Sequence, residues 1–125
     1  MDAQELIRRY RAGERDFRGA DLREAGLRDA DLRGTRLSDA DLRGVDLHGA
    51  NLRGVSLCRA DLRGANLSRA DLRNADLRGA DLGNADLRGA DLSYAVDLTG
   101  AKLDNAKLDG ADLTGAIMPD GTRHE

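Results

Sequence analysis

The sequence predicts an all-β solenoid with a short helix capping its N-terminal end. Three observations carry that expectation. Leucine returns at every fifth position without a break from Leu22 to Leu92. The residue two places before each leucine is small, Ala in most repeats, with Thr35, Val45 and Val55 as the exceptions. Aromatic residues are 2% of the 125 and Trp is absent, whereas charged residues reach 34%.

A step of five residues turns a helix by about 140°, which spreads the leucines around the cylinder and leaves no apolar stripe. In a straight strand the same odd step sends alternate leucines to opposite faces. Neither element buries the pattern, so the chain must change direction within every repeat. Leu and the small residue two before it point the same way in an extended segment. Gly, Asn or Asp two places after the leucine, as at Gly44, Gly64 and Asn84, supplies the corner. One inward-facing step and one corner per repeat make a coil, and stacked coils make a solenoid. A narrow column of Leu and Ala needs few aromatics. Most other positions face water, which accounts for the charge.

Residues 1–13 lack the repeat. Asp2 followed by Glu5 resembles a capping box, Leu6, Ile7 and Tyr10 share one helical face, and Gly13 sits where a helix stops. These features predict a helix over about residues 3–12 that covers the first coil and its open edge. The solenoid spans 14–118. It begins at Phe17, the only Phe, whose larger ring fits beneath the helix. After Leu92 six steps separate two centres, so Ser93-Tyr94-Ala95-Val96-Asp97 contains a one-residue bulge near 93–97. The period resumes at Leu98, Leu103, Leu108 and Leu113, with Met118 as the last centre. Residues 119–125 form a C-terminal tail in which Pro119-Asp120-Gly121 is a turn signal.

The repeats within residues 60–84, among them Ala-Asp-Leu-Arg-Gly, Ala-Asn-Leu-Ser-Arg, Ala-Asp-Leu-Arg-Asn and Ala-Asp-Leu-Gly-Asn, resemble the pentapeptide repeat family, whose pattern is Ala-(Asp/Asn)-Leu and two variable residues. The resemblance covers most of the chain. It implies a right-handed quadrilateral β-helix with four repeats per coil, hence about five coils and a rod roughly 25 Å long. A helix followed by Gly-Glu-Arg-Asp-Phe is similar to the N-terminus of small cyanobacterial members. The resemblance also implies a non-catalytic structural or protein-interaction module. In some members an acidic surface that resembles DNA binds DNA gyrase and protects it from quinolones, which is the alternative reading.

The surface argues against that alternative. DNA mimicry needs a dense field of one sign. Here Arg23, Arg43 and Arg63 stack on one face beside Asp21, Asp41, Asp61 and Asp81, and Arg33, Arg53 and Arg73 stack on another. Charges balance through Leu92, and the net charge of −3 lies beyond it. No unpaired basic stripe and few aromatics leave nucleic-acid binding unsupported. No catalytic, cofactor-binding or metal-ligating residue is assigned and no cofactor is expected. Exposed Asp ladders on a convex rod lack a pocket that separates carboxylate pKa values. His48 and Cys58 fall on opposite faces, with His124 in the tail, so they form no metal cluster. Thr35 stands in for Ala at an inward position. Cys58 faces outward between Ser38 and Arg78, where a guanidinium favours the thiolate; an accidental exposed thiol is the plainer reading.

The first ten residues carry Asp2, Glu5, Arg8 and Arg9 and do not read as a signal peptide. No apolar run reaches membrane-spanning length, and one Cys forms no internal disulfide. The expected compartment is the cytoplasm, with no membrane contact. The expected partner is an unknown protein. The small end of the rod predicts a monomer at micromolar concentration, with weak end-to-end pairing at most.

Overall fold

The computed structural model describes all 125 residues. One helix, α1 (Ala3–Arg11), precedes the repeats. Asp2 caps it, its Oδ1 accepting the Glu5 N–H at 2.8 Å. The reciprocal half of a capping box does not form, because the Glu5 carboxylate turns to Arg9, 3.3 Å away. Arg8, Arg9 and Arg11 in the last turn complement the helix dipole. Leu6 is fully buried against the first coil, with Ala3, Ile7 and Tyr10 packed beside it. Tyr10 Oη donates to the Arg33 carbonyl at 2.8 Å, which pins the helix to one side of the rod. The Arg9 guanidinium lies over the buried Phe17 ring, 5.3 Å from its centroid, and pairs with Glu5 and Glu14.

From Asp16 onward each side of the coil is too short for a regular strand. Parallel pairing occurs one residue at a time, between positions twenty apart: Asp16 with Arg36, Asp21 with Asp41, Gly26 with Asp46, Asp31 with Asn51. Four successive repeats each pair with the repeat twenty residues on, so one turn of the coil has four sides. At mid-rod the Leu62 N–H donates to Asp81 O at 2.8 Å, the Gly64 N–H to Gly83 O at 2.9 Å, and the Asp81 N–H to Ala60 O at 3.0 Å. The Leu62 carbonyl accepts the Ala65 N–H at 3.0 Å, which closes the corner. The third residue of that corner is left-handed: φ is 68° at Gly64 and 63° at Asn74. Gly and Asn tolerate this region. Glu24, Arg59, Arg69, Tyr94 and Ala95 occupy it without that tolerance.

The interior is solid. Every centre from Phe17 to Leu98 is buried, and so is the small residue before each centre from Thr35 onward to Ala101. Thr35 keeps its hydroxyl satisfied by donating to the Leu32 carbonyl at 2.9 Å.

The pairing interval lengthens from twenty residues at Asp71–Asp91 to twenty-one at Asp76–Asp97, and returns to twenty at Asp97–Ile117. Tyr94 still occupies the ladder, its carbonyl accepting the Asn74 N–H at 2.9 Å. The corresponding bond upstream spans nineteen residues, as from Gly64 to Gly83, and here it spans twenty, so the extra residue lies at Ser93–Tyr94 and Ala95 takes the ordinary corner position. Tyr94 and Ala95 are both left-handed, at φ 57° and 62°.

The tail folds back. Ile117 pairs antiparallel with Arg123, the Gly115 N–H donates to His124 O and the His124 N–H to Ala116 O, both at 2.7 Å. This covers one side of the last coil. On the other three, Leu103, Leu108 and Leu113 stay half-buried and their N–H groups have no backbone acceptor. Met118 is also half-buried and packs on the core.

Candidate interaction surface

With the interior filled by Leu and Ala, recognition falls to the side chains at the corners and in the columns between them. The N–H of the residue after each centre leucine points away from both neighbouring coils. In most repeats an Asp, or an Asn at 51 and 66, before the leucine supplies its acceptor. Asp71 Oδ1 accepts the Arg73 backbone N–H at 3.2 Å and its Nε–H at 2.9 Å, while Oδ2 accepts Nη2–H at 2.6 Å. The same three bonds recur at Asp21 with Arg23, Asp41 with Arg43, Asp61 with Arg63 and Asp86 with Arg88. Each is an Asx-turn clasped again by a guanidinium. Without arginine the turn survives: Asp81 accepts the Gly83 N–H at 3.0 Å, and Asp91 accepts both the N–H and the hydroxyl of Ser93.

The clasp stabilises the anion. Hydrogen bonds from Arg23 and Arg88 hold the carboxyls of Asp21 and Asp86 at about 2. Arg18 holds Asp16 well below the ordinary carboxylate range. Asp71 and Asp76 are also lowered by their arginines, against a desolvation that opposes the shift. Several of these arginines further lean towards the Asp of the next coil, as in Arg43–Asp61 at 3.7 Å, Arg63–Asp81 at 3.8 Å and Arg73–Asp91 at 3.6 Å. The two ladders are thus knitted along the rod as well as within each coil.

Three of the outward positions that depart from this scheme carry a thiol, an imidazole or an unclasped guanidinium. Cys58 is half-buried, and the guanidinium beside its sulfur is that of Arg59, which donates to Sγ at 3.2 Å while held by Asp39. His48 Nδ1 lies 2.7 Å from Ser68 Oγ, and Ser68 in turn donates to Asn66. His48, Cys58 and His124 are not brought together, and no group of three or more His, Cys, Asp or Glu side chains is placed to hold a metal ion. The third is Arg53. Its coil carries Asn51 where the others carry Asp, so its Nε–H reaches only a neutral acceptor at 3.3 Å and Asp71 at 3.7 Å. Its terminal nitrogens have no partner.

Sequence reading placed the Asp residues in a surface charge ladder and missed their role as backbone acceptors. The signal was present in the Asn at positions 51 and 66, since Asn keeps the acceptor and loses the charge. It also gave Tyr94 no role beyond the bulge. Tyr94 is 70% exposed and forms a ridge between two shallow hollows. One is lined by Arg53, Arg73, Asn74, Asp91 and Ser93; Ala95, Thr114, Ile117 and Arg123 are on the other side.

The family pattern described as pentapeptide repeats matches the chain in eight copies, over residues 16–39, 40–79, 65–96 and 80–120. No curated protein matches it. Among solved structures, HetL, a pentapeptide repeat protein involved in heterocyst differentiation regulation from the cyanobacterium Nostoc sp. strain PCC 7120, is 28% identical, with 99% of this chain and 100% of HetL covered and a TM-score of 0.41. The pentapeptide repeat protein alr5209 from Nostoc PCC 7120 is 39% identical, with coverage of 92% and 78% and a TM-score of 0.40. A trypsin-treated form of QnrB1, a plasmid-mediated fluoroquinolone resistance protein, is 25% identical, with coverage of 82% and 60% and a TM-score of 0.38.

Proposed function

The chain belongs to the pentapeptide repeat family, and on that premise we propose that it is a non-catalytic structural and protein-interaction module. In this reading residues 1–13 are the cap, 14–118 a rod of about five coils and 119–125 the tail. The rod holds its outward side chains in fixed register for a protein partner in the cytoplasm. The observation that supports this reading is the direction of the carboxyl pKa shifts. General acid–base work at neutral pH calls for carboxyls raised towards 7, and the Asp residues clasped by arginine, such as Asp21, Asp71 and Asp86, are lowered. They are anions committed to holding the backbone and the arginines.

The alternative is a DNA-mimicking interactor of gyrase or another topoisomerase. Its support is limited to the acidic excess beyond Leu92, because the ion-pair ladders alternate sign over the rest of the rod. A DNA supercoiling assay separates the two. The expected result is unchanged gyrase activity with tens of micromolar protein added, and inhibition at low micromolar would favour the alternative. Affinity capture from the native host, with the rod as bait, tests the interaction module itself. Failure to enrich any protein over a rod whose outward residues are scrambled would overturn it.

The tail covers one side of the last coil, and the rest of that end is small compared with a stable interface. The protein is accordingly a monomer at micromolar concentration, with weak end-to-end pairing when concentrated. Sedimentation over a concentration series checks this, and a dimer persisting to low micromolar would contradict it.

A further inference from the structure

Tyr94 and Ala95 are consecutive left-handed residues without the tolerance of Gly, Asn or Asp. Such strain persists where the surrounding structure over-determines it, and it clusters at functional positions. Here it turns a large aromatic ring outward, and Tyr94 is the most exposed large side chain with apolar surface on the molecule. The hollow beside it contains Arg53 and Arg73.

These two arginines are not equivalent. Arg73 is clasped by Asp71 at 2.6 Å. Among the arginines that directly follow a centre leucine, Arg53 alone has no carboxylate within hydrogen-bonding distance, because Asn51 replaces the usual Asp. The Asp91 carboxylate in the same hollow is occupied by the N–H and hydroxyl of Ser93. The hollow therefore presents one guanidinium end with unused donors, beside an exposed phenol ring. Arg and Tyr are also the residue types that dominate binding energy at protein interfaces.

We propose that the side of the rod around Tyr94 is a docking surface for an extended acidic segment of a protein partner, with one of its carboxylates paired to Arg53 and an adjacent side chain packed on the Tyr94 ring. This rests on the reading of the chain as an interaction module and adds the place and the chemistry. A guanidinium fork that lacks its own carboxylate is matched by a partner's carboxylate, which fits it in a bidentate manner.

A library of random dodecapeptides displayed on phage and panned on the intact protein tests this. The expected selection is enriched in Asp and Glu. A synthetic copy of the leading peptide should bind at least about tenfold more weakly to Arg53→Ala and to Tyr94→Gly. Its affinity for Arg33→Ala, an arginine of the same column clasped by Asp31, should stay within about twofold of the parent. Tyr94→Gly suits the left-handed backbone, so it retains the fold, and circular dichroism verifies this. Peptides that bind both Arg53→Ala and Tyr94→Gly as well as the parent would overturn the surface and leave the interaction module standing. Selected peptides without acidic enrichment would overturn the partner chemistry. If the library yields no binder on any face, both this surface and the interaction module lose their support.

Discussion

Asp71 carries a backbone role and a charge role in one side chain. Its Oδ1 satisfies the Arg73 N–H, and both oxygens engage the Arg73 guanidinium. Substitution separates the two. Asp71→Asn keeps the acceptor, whereas Asp71→Ala leaves an amide that no neighbouring coil can reach. The alanine variant should lose about 1 kcal/mol in urea unfolding and the asparagine variant roughly half of that. Equal losses would mean that the charge, and not the turn, is what the position needs. The sequence shows Asp before nearly every leucine, and an alternating surface follows from it directly. The orphaned amide does not, because its direction depends on how the corner is folded. The same limit applied to Glu5, which spacing assigned to a capping box and which the structure gives to Arg9.

At the scale of the element, a coil side consists of one buried leucine, one buried small residue and one left-handed corner. Leu62 and Leu72 are 0% exposed at mid-rod. Leu62→Ala and Leu72→Ala should each cost about 2–5 kcal/mol through the cavity they leave. Arg63→Ala and Arg73→Ala, on the outer face, should shift the melting temperature little. Comparable losses in the two sets would contradict the inward and outward assignment. The bulge offers a gain instead. Ala95→Gly removes a left-handed alanine and should stabilise the protein by about 1 kcal/mol, readable as a raised melting temperature; a loss would mean that the left-handed backbone there is not strained. The six-residue gap between Leu92 and Leu98 was legible as an insertion. Where the extra residue sits was not, since any of residues 93–95 satisfies the count and only the bond from Asn74 to Tyr94, one residue longer than its counterparts upstream, places it at Ser93–Tyr94.

Over the whole molecule the clasped carboxylates act together on stability. A carboxyl held low in the folded state adds stability that is complete above its unfolded pKa and is lost as pH falls through its folded value. Asp21 and Asp86 sit at about 2, and unfolded Asp titrates near about 4. The melting temperature should therefore be flat from neutral pH down to about 4 and fall between about 4 and about 2. A melting temperature still unchanged near pH 2 would show that the clasps contribute nothing to folding. A coil with inward Leu and Ala, and its N-terminal cap, were legible from period, small residues and the Leu6, Ile7, Tyr10 face, whereas the four sides came only with the family resemblance. The C-terminal end was open between a folded-back tail and a second copy. Hairpin pairing of 115–118 with 122–124 depends on Met118 and Thr122 meeting across the Pro119-Asp120-Gly121 turn, and a seven-residue tail carries too little pattern to announce it.

Because one side of the coil consumes one repeat, the chain measures angle in units of five residues. Deleting or duplicating a single repeat ahead of Tyr94 swings its azimuth relative to α1 by a quarter turn. Four repeats restore the azimuth and only lengthen the rod by one ladder spacing, about 4.8 Å. The extra residue at Ser93–Tyr94 spends sequence without spending angle, for Asp97 still stacks on Asp76. Repeat duplication thus works as a dial, and four chains differing by one repeat each would present the same patch on four compass headings from the same capped base.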